Sequence, residues 1–258
     1  MTQGEPLFRG RTAEIHRVDD DHVVKLYARG EPIERARREF HNQQTAGDLG
    51  VRVPTVGDVV TMDGRHGFTM ALAAGDTLMD RLGAGAVDVH AGAVQLAELQ
   101  ASITAKTGSG LERHRAIVTR RVEGCERLSG AERNDLLERL QGLPDGDALC
   151  HGDFHPRNII LDGDIPTIID WIDASSGPPA ADLARSAILF LGHHAITEPG
   201  PELESMESFH ATYMDTVLDR TVCGRGELES LLPILAAARL SENAWEFEEF
   251  LLDTARNV

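Results

Sequence analysis

The stretch HGDFHPRNIILDGDIPTIIDW, His151 to Trp171, sets two aspartates and an asparagine around two short β-branched runs. Asn-Ile-Ile-Leu and Thr-Ile-Ile-Asp flank Asp162-Gly163-Asp164, whose Asp-Gly pair is a tight-hairpin signal. Closing that hairpin brings its open ends, Asn158 and Asp170, together. An amide oxygen beside a carboxylate makes hard ligands suited to Mg²⁺, an ion that keeps positions for water and substrate phosphates. Asp153 lies five residues before Asn158, in a loop containing Pro156. There it can stand near the metal pair without ligating. A carboxylate so placed can orient a substrate hydroxyl and accept its proton as a terminal phosphoryl group transfers.

Such chemistry needs a cation on the nucleotide phosphates and a partner to orient it. Lys25 sits in VVKLY, an apolar strand-like run where an unpaired ammonium is expensive. Glu39 follows fourteen residues later in RREFH, within a helix-forming segment. The Asp153-to-Asn158 spacing equals that of the kinase catalytic loop. No GxGxxG is present; Gly10-Arg11-Thr12-Ala13-Glu14 occupies the place of a phosphate-covering loop.

The elements that must position these residues follow from the pattern. AEIHRV and HVVKLY read as strands turned at Asp19-Asp20-Asp21. A helix is expected from Pro32, a good first-turn residue. VGDVVTM and HGFTMAL read as a hairpin turned at Asp63-Gly64. Composition changes at Ala73-Ala74-Gly75-Asp76, the expected hinge. Beyond it, Val89, Ala93, Leu96, Leu99 and Ile103 recur at helical spacing, residues 111 to 141 read as helical, and the chain from Ala181 on is mostly helical.

Composition narrows the partners. The 258 residues carry a formal charge of −17, which repels nucleic-acid backbones and anionic membranes and draws in cations. The three cysteines, Cys125, Cys150 and Cys223, are far apart and form no CxxC, which suits a reducing compartment. MTQGEPLFRGR has no apolar signal core, and LLPILAAARL is too short for a membrane span. A cytoplasmic location is expected.

HGDFHPRN followed by IIDWIDASSGPPAADLA resembles the aminoglycoside phosphotransferase family, relatives of choline kinases with a protein-kinase-like fold. The resemblance extends from about Gly10 to Leu189. It implies an α+β fold of two lobes. Residues 1–72 form a small antiparallel, nucleotide-binding lobe with one helix, and residues 73–258 a larger, mainly helical lobe. It implies Asp153 as catalytic base, Asn158 and Asp170 as magnesium ligands, and Lys25 with Glu39 at the phosphates of ATP or GTP. Met70-Ala71-Leu72 form the hinge meeting the adenine through backbone groups. Asp173 resembles a second acid after the metal aspartate, while His151 and Asp182 resemble supports of the catalytic loop. The family also commonly lacks GxGxxG, so its absence favours a small-molecule kinase over a protein kinase; the metal segment reads Asp-Trp-Ile rather than Asp-Phe-Gly.

The acceptor is read from the C-terminal segment RLSENAWEFEEFLLDTAR, expected as one helix. Leu240, Ala244, Phe247 and Leu251 fall on one face; Glu242, Glu246, Glu249 and Asp253 fall nearly opposite. The carboxylates either line a cleft for a cationic acceptor, such as an aminoglycoside or another antibiotic, or form a solvated face. Trp245 is expected in the core or cleft wall. Kinases of a metabolite such as choline, an amino sugar or homoserine, a protein kinase, and a non-catalytic nucleotide-binding module are the alternatives.

Overall fold

The computed structural model describes residues 5–242 and 245–257. The chain is mixed α+β and divides into two compact units. One runs up to Asp80 and adds Arg157–Ala174; the other joins Arg81–Pro156 to the residues from Ser175 on.

The first unit holds a five-stranded antiparallel sheet of β1 (Phe8–Arg9), β2 (Ala13–Arg17), β3 (His22–Tyr27), β4 (Val56–Met62) and β5 (Arg65–Ala71), in the order β1-β2-β3-β5-β4. The near-continuous apolar run of β3 makes it the central strand, with Val23, Val24, Leu26 and Tyr27 all buried. Between β2 and β3 the Asp19 carboxylate accepts the amides of Asp21 and His22, each at 2.9 Å, which fixes the turn. Asp63 (φ 51°) and Gly64 (φ 73°) both take the left-handed backbone of a primed hairpin turn between β4 and β5.

Helix α1 (Ile33–Asp48) starts one residue later than expected. Pro32 keeps extended backbone, φ −70° and ψ 149°, and serves as the flanking residue. Its buried face is unusual in carrying Glu39, Asn42 and Gln43 beside Ala36 and Ala46. Gln43 donates to the Pro54 carbonyl at 2.6 Å, and Asn42 to that of Trp171 at 2.9 Å.

Residues 157–174 cluster with this unit through a second sheet. Strand β8 (Ile159–Asp162) pairs with β6 (Asp76–Thr77) on one side and β9 (Ile165–Ile168) on the other. A Cβ on Gly75 would lie 2.0 Å from the Leu161 carbonyl oxygen, so this crossing requires glycine. The two compact units and the expected lobes are therefore different cuts of the chain, because this pairing joins a distant segment to β6 of the first unit.

The second unit contains α3 (Val89–Thr104), α4 (His114–Glu123), α5 (Gly130–Gly142), α6 (Pro179–Ile196), α7 (Pro201–Arg220), α8 (Arg225–Leu240) and α9 (Glu248–Arg256). Strands β7 (Ala148–Cys150) and β10 (Ser175–Gly177) pair beside them, and α2 (Leu78–Gly83) carries the chain from the first unit. The segment expected as helical over 111–141 resolves into α4 and α5; Ser129 and Glu132 form a capping box that starts α5. Helix α6 is buried along most of its length, Asp182, Arg185 and Ser186 included. Cys125 and Cys150 are buried free thiols, and burial pushes Cys150 well up.

The C-terminal segment corrects the expectation of one helix. Helix α8 stops at Leu240, a short 3-10 turn spans Trp245–Phe247, and α9 begins at Glu248. Leu240, Phe247 and Leu251 are buried as expected. Ala244 and the Trp245 side chain lie outside the described residues. The break occurs where Glu242 is drawn into buried ion pairs, so the four carboxylates do not share one helix face.

Candidate active site

In the first unit, Lys25 projects from the middle of β3 and is buried. Its ammonium donates to Glu39 Oε1 at 2.6 Å and to Asp170 Oδ1 at 2.9 Å. The Tyr27 hydroxyl donates to the other Glu39 oxygen. Burial works against the charge on Lys25, but Asp170 and Glu39 outweigh it and hold the ammonium above its ordinary range. Burial pushes the Glu39 carboxyl up, against the pull of Lys25. The strand lysine and helix glutamate that the family resemblance pairs meet here, and the hairpin aspartate meets them.

The hairpin places its ends as its turn signal requires. Ile159 pairs with Ile168, and the Ile169 amide donates to the Asn158 carbonyl at 3.0 Å, so Asn158 and Asp170 flank one open end. Asp170 holds φ 66°, a left-handed backbone that costs a non-glycine residue about 1–3 kcal/mol. Such strain persists where surrounding contacts impose it. Here Trp171 is wholly buried, donates from Nε1 to Ile168 at 3.1 Å, and receives Asn42 on its carbonyl. Asn158 is buried, while the Asp170 side chain is 40% exposed. An amide and a half-exposed carboxylate on one hairpin end are a donor set that fits Mg²⁺. Asp173 lies half-buried three residues on.

Met70 and Leu72, anticipated at the adenine, are half-buried at the end of β5. The Leu72 amide donates to the Asp21 carbonyl at 2.7 Å, so what Leu72 can offer a base is its carbonyl oxygen. The Gly10 amide donates to the Ala13 carbonyl at 2.9 Å and closes the turn between β1 and β2.

In the second unit, the loop carrying Asp153 is held from α6. Asp182 Oδ1 accepts the Gly152 amide at 2.7 Å, and its Oδ2 accepts Gln100 at 2.9 Å. Arg185 Nε donates to the Gly152 carbonyl at 3.0 Å, and Ser186 Oγ to that of Phe154 at 2.9 Å. His151 is fully buried, and its Nδ1 accepts the Asp153 amide at 3.2 Å. Asp153 lies 3.5 Å from His155 Nε2 and 3.7 Å from Arg185 Nη2. Burial would raise the Asp153 carboxyl, but His155, Arg185 and Arg239 outweigh it and hold the group well below the usual carboxylate range.

Glu242 stands apart from the acidic residues once grouped with it. Its carboxylate contacts Arg185 at 2.8 Å, Arg121 at 2.9 Å, and Arg239. Glu246 and Glu249 are exposed. Sequence reasoning passed over these arginines, although Arg185 in LARSAILFLG and Arg239 in LAAARL are single charges in apolar helical runs, which call for a buried partner. Tyr27 and Asn42 left no comparable signal. Among the described residues, no three His, Cys, Asp or Glu side chains are grouped as metal ligands.

Comparison with known proteins adds to this geometry. No curated protein matches the chain in sequence. A thermostable mutant of the aminoglycoside phosphotransferase APH(4)-Ia, in ternary complex with AMP-PNP and hygromycin B, is similar in structure. It has a TM-score of 0.67 at 16% identity over 98% of this chain and 94% of that one. The GDP complex of aminoglycoside 2'-phosphotransferase-IIIa matches with 0.61 at 18% identity, over 100% and 95%. Aminoglycoside-3'-phosphotransferase of type VIII matches with 0.57 at 23% identity, over 94% and 91%. These likenesses show the fold. The model of the phosphotransferase enzyme family matches residues 7–212, most of the chain, and the protein belongs to that family.

Proposed function

We propose that this phosphotransferase moves the γ-phosphoryl group of ATP or GTP to a hydroxyl of a small molecule. The carrying observation is the buried Lys25, paired at once with Glu39 and Asp170. An ammonium pre-set on two carboxylates is positioned to meet nucleotide phosphates. Similar structures hold AMP-PNP in one case and GDP in another, so either nucleotide fits the reading. Asn158 and Asp170 would hold Mg²⁺, which when bound neutralises phosphate charge. Asp153, kept ionised by its neighbours, orients the acceptor hydroxyl. The hydroxyl oxygen attacks the γ-phosphorus, the bond to the β-phosphate oxygen breaks, and the proton passes to Asp153. His151 and Asp182 support the loop. A nucleoside triphosphate co-substrate and free buried cysteines suit the cytoplasm. Among the described residues no helix is long and apolar enough to cross a membrane.

Two acceptor classes have support. The net charge of −17 and the aminoglycosides of similar structures favour a cationic, polyhydroxylated acceptor. The enclosure of Glu242 by three arginines removes one of the carboxylates that reading relied on and favours a metabolite acceptor.

The test is nucleotide turnover with Mg²⁺, using ATP and GTP separately, across aminoglycosides, choline, amino sugars and homoserine, with Asp153→Asn as control. Acceptor-dependent release of ADP or GDP, absent in the variant, supports the kinase. Equal turnover by the variant sinks the mechanism, and nucleotide binding without any turnover leaves a non-catalytic module.

A further inference from the structure

Helix α1 carries two buried polar side chains three residues apart, Glu39 and Asn42. Glu39 reaches Asp170 through Lys25. Asn42 reaches the backbone just beyond Asp170, and its first partner, Trp171, lies 129 residues further along the chain.

Asn42 is 3% exposed. Its Nδ2 donates to the Trp171 carbonyl at 2.9 Å and to those of Ile172 and Ala174, each at 3.4 Å. The Trp171 carbonyl also accepts the Ala174 amide at 3.1 Å, which closes a turn over Trp171–Ala174. Three carbonyl oxygens thus converge on one buried side chain. Their dipoles repel one another, and a buried acceptor left unmet costs about 1–3 kcal/mol. A donor is required at that place, so the carbonyls also fix which way the Asn42 amide faces.

The turn begins where the backbone is strained. Among the described residues, Asp63 and Asp170 are the non-glycines with left-handed backbone. Asp63 sits in the tight turn between β4 and β5, an ordinary place for it. Asp170 sits just past the open end of the β8–β9 hairpin, with its carboxylate on Lys25 and the next residue already in the turn that Asn42 holds.

We infer that Asn42 is a positioning residue for the metal site: its amide holds the Trp171–Ala174 turn, and the turn holds Asp170 in the backbone from which it would meet Mg²⁺ beside Asn158. This rests on the kinase reading above. Asn42 acts through Asp170 rather than on the metal itself. With Glu39 it makes α1 the common support of Lys25 and Asp170, so one helix sets the phosphate cation and the metal ligand together. Gln43, the next residue on α1, supplies the contrast. It is an equally buried amide, but it donates to the Pro54 carbonyl, outside the Asp170 segment.

The experiment measures the affinity of the full-length protein for AMP-PNP, or GMP-PNP where that nucleotide binds, by calorimetry with Mg²⁺ and again with EDTA. The ratio of the two affinities reads the metal's contribution without any turnover. Asn42→Ala should reduce that ratio about fivefold or more, since partners that orient a metal ligand commonly carry about tenfold of its affinity. Affinity in EDTA should stay within about twofold of the parent. Asn42→Ser, which keeps a shorter donor, should restore part of the ratio, and Gln43→Ala should leave it within about twofold. A ratio unchanged in Asn42→Ala, a loss equal with Mg²⁺ and with EDTA, or an equal fall of the ratio in Gln43→Ala overturns the inference. If Asn42→Ala does not fold, Asn42→Ser decides by the same comparison. An unmodified protein whose nucleotide affinity ignores Mg²⁺ also overturns it. Failure of both nucleotide analogues to bind the unmodified protein is a separate result that removes the kinase reading itself, and this inference with it.

Discussion

Asp182 and Arg185, one helical turn apart on α6, hold opposite ends of the same residue: the Gly152 amide donates to Asp182, and the Gly152 carbonyl accepts from Arg185. Gly152 itself stands at φ 81°, a backbone that glycine adopts without strain. The residue before Asp153 is thus fixed at both ends by a helix that is itself buried. A loop carboxylate gains the positional precision of a helix in this way.

Asp182→Asn keeps size but places a second amide where Gly152 and Gln100 both need an acceptor. Stability should fall by about 2 kcal/mol in urea titration. Turnover should fall further than stability accounts for, with nucleotide affinity unchanged. Turnover equal to the unmodified protein would show that the loop holds its geometry without this grip.

Asp153→Asn removes the proton acceptor and leaves the first unit untouched. Turnover should drop by about 10² to 10⁴. Nucleotide affinity, read by fluorescence or calorimetry, should stay within about twofold, since Lys25, Glu39 and Asp170 are intact.

Glu39→Ala strands the Lys25 ammonium in a buried site with Asp170 as its remaining partner and leaves the Tyr27 hydroxyl without its acceptor. Breaking a buried pair from one side costs about 3 kcal/mol or more. Reduced stability and a raised KM for the nucleotide are both expected. A variant as stable as its parent would mean that Lys25 is solvated in the folded protein.

The acid limb of stability should carry a signature of Glu242. Burial would raise its carboxyl, but Arg185, Arg121 and Arg239 bring it from an ordinary 4.5 to about 2. A depressed carboxyl contributes stability above its unfolded pKa, and that contribution is lost as the pH falls through the folded value. The effect is about 3 kcal/mol at neutral pH, disappearing between about pH 5 and pH 2. Glu242→Gln should therefore be less stable than the parent at pH 7, with the difference closing as the pH approaches 2. A constant difference across that window would assign the loss to packing.

Legibility in the sequence followed the range of the interactions. The hairpin of β8 and β9 could be read because its Asp-Gly turn is local, and its pairing then delivers Asn158 and Asp170 to one end. Lys25 was visible as a charge in an apolar strand, and Glu39 as its counterpart only through the family resemblance. The family resemblance supplied the rest of the fold. The break between α8 and α9 was not legible, because apolar residues at 240, 247 and 251 keep a helical phase across it. Before the break stands Glu242, a carboxylate held by arginines from α4 and α6, far away along the chain. For the same reason part of the surroundings of Asp153 stayed hidden: His155 lies within HGDFHPRN itself, but Arg185 and Arg239, which also hold its carboxyl down, come from far along the chain.

The first unit is discontinuous along the chain, since β6 finds its partner strand only after residue 159. On the ribosome, β6 must therefore wait for nearly half of the second unit to be translated before β8 can pair with it. At ordinary elongation rates that interval is about 4 to 16 s, far longer than the microseconds in which a hairpin forms. During that wait β6 lacks the partner strand that covers its backbone groups. Expression yield should accordingly respond to synonymous codons between residues 80 and 160 more than to those after residue 174.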